Sequence, residues 1–138
     1  MMRGIPKPVP SEHWKGRRDN ARAFHEAARL QLSLLDDAAN ANPVISLIAS
    51  AAIGYADAVT SRHKGIVNQD QHEKALPLLR AAVGNKIPPT VGKALGSILK
   101  EKSTSQYGVR RGRMETATKL FSSLEVIATW VEQQLVDV

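Results

Sequence analysis

Five stretches of this chain repeat apolar residues at helical spacing. The most apolar runs from Pro43 to Arg62, PVISLIASAAIGYADAVTSR. Val44, Leu47 or Ile48, Ala51, Tyr55 and Ala58 or Val59 share one face. Ile45, Ala49, Ala52, Ile53 and Ala56 carry the apolar character round the cylinder. A helix apolar on nearly all sides is enclosed by other helices, so this segment is predicted as the centre of the fold. Its small residues, among them Ser46, Ser50, Gly54 and Ala58, let neighbours approach closely. Asn42 is the expected cap, with Pro43 at the first helical position. The run from Val44 to Ala56 is shorter than the roughly 20 apolar residues of a membrane span. Asp57 and Arg62 follow it at once, so no membrane segment is expected.

The flanking pattern predicts four more helices. Ser11, an N-cap residue type followed by Glu12, opens the first, which runs to about Ala39. Its stripe is Trp14, Ala21, Phe24, Ala28, Leu32 and Leu35, with Arg17, Arg18, Arg22, Glu26 and Arg29 mostly off it. Asn40 to Pro43 is a turn signal. After the central helix, Gly65 suits a helix C-terminus, and Asp70 with Glu73 resembles a capping box opening a third helix. Pro77 in that helix implies a kink or a short first turn. The breaker GNKIPP, Gly84 to Pro89, precedes a fourth helix from about Thr90 to Lys102. Ser103 to Arg113 reads as a polar, basic loop. The last helix starts near Arg113, with the stripe Met114, Ala117, Leu120 or Phe121, Leu124, Ile127 or Ala128, Val131 and Leu135, and Trp130 flanking it.

No stretch alternates at period two long enough to suggest a strand. Pro6, Pro8 and Pro10 make residues 1–10 an extended arm, mobile or laid along the surface. The reading is therefore all-α: an up-and-down bundle of about five helices, with residues 11–138 as one domain. The long amphipathic last helix suggests a homodimer through the long helices.

Composition changes this picture in two ways. The chain has no cysteine, which excludes disulfides, thiolate zinc sites and a cysteine nucleophile. With no apolar leader at the N-terminus, a cytoplasmic protein is expected. The net charge of +6 is local: from Lys86 to Lys119 there are eight basic residues and two acids, and the remainder balances. A local basic surface points to a phosphate-bearing or acidic partner, against the plainer reading of a solvated face.

The candidate site residues follow from that. Asp57, on an apolar helix, needs a partner; Arg62, or Lys102, Tyr107 or His72 from elsewhere, would serve. The competing reading is a structural carboxylate tying helix to loop. His63 and His72 flank a loop, but no HxxxH or HExxH pair exists, so capping and surface roles outweigh a metal site and no metal or cofactor is expected. Tyr107 among Arg110, Arg111 and Arg113 suits base stacking with phosphate contact. His13 and His25 carry no special signal.

The segments AAIGYADAVTSRHKGIVNQDQHEKALPLLRAAV and LGSILKEKSTSQYGVRRGRMETATKLFSSLEVIATWVEQ resemble the HEPN superfamily over about residues 18–136, and are most similar to an actinobacterial-type branch of unknown function. The resemblance implies an up-and-down helical bundle, often dimeric. Family members include RNases, toxins of toxin–antitoxin pairs, and non-catalytic RNA- or nucleotide-binding modules. The ribonuclease members carry Arg, four to six residues, then His before the final helix. Here Lys100 to Tyr107 has lysine in place of arginine and no histidine. Lysine lacks the bidentate fork, and an unperturbed tyrosine, with a pKa of about 10, is a poor general base near neutrality. Lys102 and Tyr107 are thus the only catalytic candidates, in an RNase-toxin alternative whose partner would be a nucleotidyltransferase-like antitoxin. A third reading is a purely structural dimerisation module. The main expectation is binding of RNA, nucleotide or another phosphate-bearing ligand without cleavage.

Overall fold

The computed structural model describes residues 6–68, 74–107 and 110–136, with side chains over 8–67, 74–104 and 110–136. Five α-helices account for most of it: α1 (His13–Leu34), α2 (Asn42–Lys64), α3 (Ala75–Val83), α4 (Pro89–Tyr107) and α5 (Met114–Val136). A 3₁₀ turn, Gly84–Lys86, links α3 to α4. The all-helical reading holds in its main part, and α2 is the central element. It packs on α1, α3, α4 and α5, and fourteen of its residues are buried, from Val44 to Ser61. By length and composition α2 is apolar enough to cross a membrane, yet 78% of its most apolar window is buried inside the bundle. The stripe of α5, from Met114 to Leu135, is also consumed by this core, and Trp130 is buried with it.

Several boundaries differ from the sequence pattern, each for a local reason. The first helix is shorter at both ends. Glu12, not Ser11, holds the N-cap position, and it makes no side-chain capping bond. At the other end Leu35 turns extended, and the Asp36 carboxylate accepts the Ala38 N–H at 2.9 Å. That Asx-type turn competes with the helical bond and wins. Asn42 is not the cap of α2 but its first helical residue; the Asn40 side chain accepts the Asn42 N–H at 3.0 Å instead. Gly65 closes α2 at φ 66°, the left-handed conformation that glycine adopts without strain. The expected capping residue Asp70 and its partner Glu73 lie outside the described residues. Pro77 falls in the first turn of α3, where its missing N–H breaks no bond. The fourth helix runs five residues past Lys102 to Tyr107. Its extension is polar, but no glycine or proline interrupts the sequence before Gly108.

The expectation of no strand also needs correction. β1 (Pro6–Pro8) pairs antiparallel with β2 (Ile66–Asn68), Lys7 opposite Val67, and Val9 N–H donates to the Gly65 carbonyl at 2.9 Å. Three-residue strands are too short to show alternation. Alternate prolines suit such a ribbon because a paired edge tolerates missing donors. The ribbon ties the N-terminal arm to the end of the bundle where α1 begins and α2 ends.

Candidate functional site

The chain folds its basic loop back against the start of the central helix. Asn42 Nδ2 donates to the Arg110 carbonyl at 3.1 Å, and Ala41 N–H donates to the Gly112 carbonyl at 3.0 Å. Arg111 donates through Nη2 to the Ala38 carbonyl at 2.8 Å. These three bonds hold residues 110–113 across the α1–α2 turn. Behind them lies a partly enclosed cavity of about 200 Å³, lined by Arg110, Arg111, Arg113, Asn42, Thr104 and Thr116 among others. Asn42, the first residue of α2, and Arg113, just before α5, both line it, so two helix N-termini lie beside the cavity. Arg110 is exposed, and among the described residues Arg113 reaches Glu115, at 3.3 Å. Asn42 Oδ1 is buried and accepts no hydrogen bond among the described residues. One carboxylate, Glu101, shares the lining. Three guanidiniums, two helix N-termini and two hydroxyls around one acid make a site chemically suited to an oxyanion.

The other candidates are not gathered there. Asp57, Arg62 and His63 lie at the opposite end of α2, about 30 Å from Asn42 to Arg62 at 1.5 Å per helical residue. Asp57 is only 4% exposed, and its partner on α1 is Arg17, Nη1 to Oδ2 at 3.6 Å. Arg17 Nε also donates to His13 Nε2 at 2.9 Å. Arg62 instead stacks on Trp14, 5.2 Å from the ring centre. His63 is half-buried; desolvation lowers its pKa, helped by the charges of Lys86, Arg62 and Lys64, against a hydrogen bond with the Gln134 backbone. Lys102 sits on α4 between two pocket residues, Glu101 and Thr104, without lining the cavity itself. His72 and the side chain of Tyr107 lie outside the described residues. Among the described residues no group of three His, Cys, Asp or Glu is placed to hold a metal.

Sequence reasoning passed over one polar cluster. His25 is 6% exposed, and its Nδ1 and Nε2 meet Tyr55 Oη at 2.9 Å and Glu125 Oε2 at 3.0 Å. Arg29 reaches Glu125 at 3.1 Å, and Arg22 grips Glu132 bidentately at 2.6 and 2.7 Å. The available signal was the shared seven-residue spacing of Arg22 with Arg29 and of Glu125 with Glu132. Two turns on one helix match two turns on an antiparallel neighbour. Tyr55 is 2% exposed, too buried for a substrate to reach, so the cluster fastens α1 to α2 and α5.

That burial has a measurable consequence. Desolvation, reinforced by the Glu132 charge, pushes the Tyr55 pKa up to about 12 from the ordinary 10.0. The folded state then holds the phenolic proton more tightly than the unfolded chain. Its contribution is complete below pH 10 and is lost as pH rises from 10 to 12, at most about 2.7 kcal/mol for two units. Urea unfolding measured across that window should show the fall, and Tyr55→Phe should flatten it. An identical fall in Tyr55→Phe would assign the alkaline loss to other groups.

No family model, curated protein or solved structure matches this chain.

Proposed function

We propose that the protein is a HEPN-like module that binds the phosphate groups of RNA or a nucleotide in the pocket behind Arg110–Arg113, without cleaving them. The observation that carries this reading is the lining of one cavity by three arginines, with the N-termini of α2 and α5 beside it. Phosphate suits that environment because its charge is met both by side chains and by fixed backbone dipoles. The cavity's size fits a phosphate with part of its sugar, leaving the rest of a ligand to lie along the exposed arginines. Its hydroxyls and amide orient a ligand but supply no general base tuned to neutral pH.

Binding of a labelled single-stranded RNA should therefore weaken steeply with salt. Each lost phosphate contact lowers the log–log slope by about 0.7. Arg110→Ala with Arg113→Ala is the informative pair, because Arg111 also anchors the loop through the Ala38 carbonyl. The pair should reduce the slope by about 1.4 and leave the urea midpoint nearly unchanged, both side chains being exposed. Competition by a mononucleotide at equal phosphate concentration identifies a nucleotide ligand; its failure identifies RNA. Absence of affinity for either at low salt would remove the reading. RNA cut in the presence of chelator, with the cut lost in Lys102→Ala, would replace it with the RNase-toxin alternative.

A further inference from the structure

Helix α1 carries two apolar faces, and the bundle uses one of them. Ala21 and Ala28 are buried, and Trp14, Leu32 and Leu35 pack against the core from the same side. A second stripe runs along the outer side: Ala23, Phe24, Ala27, Leu30 and Leu34, at the three- and four-residue steps that share a helix face. Ala27 is half-buried and the other four are exposed, Leu30 by 60% and Leu34 by 73%. Of the five exposed large hydrophobics among the described residues, three lie on this stripe. Single exposed leucines are ordinary, whereas a contiguous apolar stripe marks a contact surface. The last helix, the expected dimer surface, has spent its own stripe on the core. Beside the stripe of α1, a cavity of about 180 Å³ opens in the α1–α2 seam, lined by Arg17, Asn20, Phe24, Ser50 and Gly54 among others.

The charges along α1 decide what covers the stripe. From Glu12 to Arg22 there are four basic residues and two acids; from Glu26 to Asp37 there are one basic residue and three acids. Asp36 and Asp37 are exposed and form no ion pair among the described residues. A second copy laid antiparallel sets each basic half against an acidic one, while a parallel copy opposes like with like. We propose that α1 is the contact surface of a homodimer, in which two copies pack antiparallel about a two-fold axis at Ala27. A two-fold contact must be self-complementary. In this register, residues equally far before and after Ala27 stand opposite each other. Ala27 meets its own copy, and its small side chain lets the helices approach. Phe24 of each copy meets Leu30 of the other, so the apolar contact is made twice. Leu34, seven residues past the axis, falls opposite Asn20, seven before it, where the seam cavity can take a leucine side chain. Arg17, 39% exposed, falls towards Asp37.

Sedimentation of the full chain from about 1 to about 100 μM should show a monomer–dimer equilibrium, since a single helix pair lies at the small end of specific interfaces. Leu30→Glu with Leu34→Glu should raise the dissociation constant at least tenfold, and Asp37→Arg should raise it severalfold. Val126→Glu, at the exposed apolar residue of α5, should leave it unaltered. If the paired glutamate variant loses its far-UV helical signal, Asp37→Arg carries the comparison. The chain has no cysteine, so introduced ones read the register. Under mild oxidation Ala27→Cys should cross-link with itself. Leu34→Cys alone should not, because fourteen helical residues separate the two copies of that position by about 21 Å, beyond the reach of a disulfide. Mixed with Asn20→Cys it should cross-link. A monomer throughout the concentration series overturns the proposal and leaves the stripe to a different protein. A dimer that Val126→Glu dissociates and the leucine changes spare overturns it in favour of α5. Self-linking of Leu34→Cys as efficient as that of Ala27→Cys overturns the antiparallel register.

Discussion

Gly54→Leu should lower stability by about 3 kcal/mol. The backbones of α1 and α2 approach closely at this glycine. A Cβ built on Gly54 would stand 3.0 Å from Ala21 Cβ, 3.3 Å from Ala21 Cα and 3.5 Å from the Arg17 carbonyl oxygen. The two Ala21 atoms belong to a residue with no side-chain freedom, so α1 itself must move. Leucine adds three more carbons in the same direction. Its better helix propensity returns only about 0.8 kcal/mol. Parting the seam also strains both polar ties across it, Arg17 to Asp57 above and His25 to Tyr55 below. The urea midpoint should fall at an unchanged slope. Gly54→Ala should cost less, and adding Ala21→Gly should recover most of that cost, since the two sites share one contact. A midpoint for Gly54→Leu equal to the parent's would mean that the helices are not this close.

Gly54 also shows what could be read from the sequence. Small residues recurring along an otherwise apolar helix have a direct meaning, close approach, and α2 is where it occurs. The last helix was equally legible, because its stripe from Met114 to Leu135 is buried as one face. Helix ends were less so. Asp36 ends α1 through a bond to the backbone two residues on, and nothing in the apolar period marks that. The polar extension of α4 has no period to detect, and the β1–β2 ribbon is too short to have one.

The candidate site divides along the same line. Arg110, Arg111 and Arg113 are neighbours in sequence, so local charge revealed them. Asn42, Thr104 and Thr116 reach the same cavity from three helices, and only the packing of those helices assembles them. Asp57 was correctly marked as a carboxylate in need of company. Its ion-pair partner, Arg17, is forty residues away on α1, whereas the suggested Arg62 turns to Trp14. His25 carried no local signal because its meaning depends on Tyr55 and Glu125, one from each neighbouring helix.

Gly112 is the position where stability and the proposed binding site should fail together. Its backbone does not need glycine's conformational freedom, since positive φ among the described glycines occurs at Gly65 and Gly84. It needs the space. A Cβ at Gly112 would collide with Asn42 Oδ1 and stand 3.0 Å from Ile45 Cδ1 and 3.1 Å from the Asn42 backbone nitrogen. Asn42 cannot simply swing aside, because its amide is bonded to the Arg110 carbonyl. The loop must lift from the start of α2, breaking that bond and the one from Ala41 N–H to the Gly112 carbonyl. Gly112→Val should therefore cost about 1–3 kcal/mol. The displaced loop should also lose affinity for single-stranded RNA, with a shallower salt slope than the parent, although every arginine remains. Removing the obstructing side chain tests the cause. In an Asn42→Ala background the added cost of Gly112→Ala should shrink, a coupling of about 0.5–1 kcal/mol between touching residues. Equal costs in the two backgrounds would place the strain somewhere other than the contact between this loop and α2.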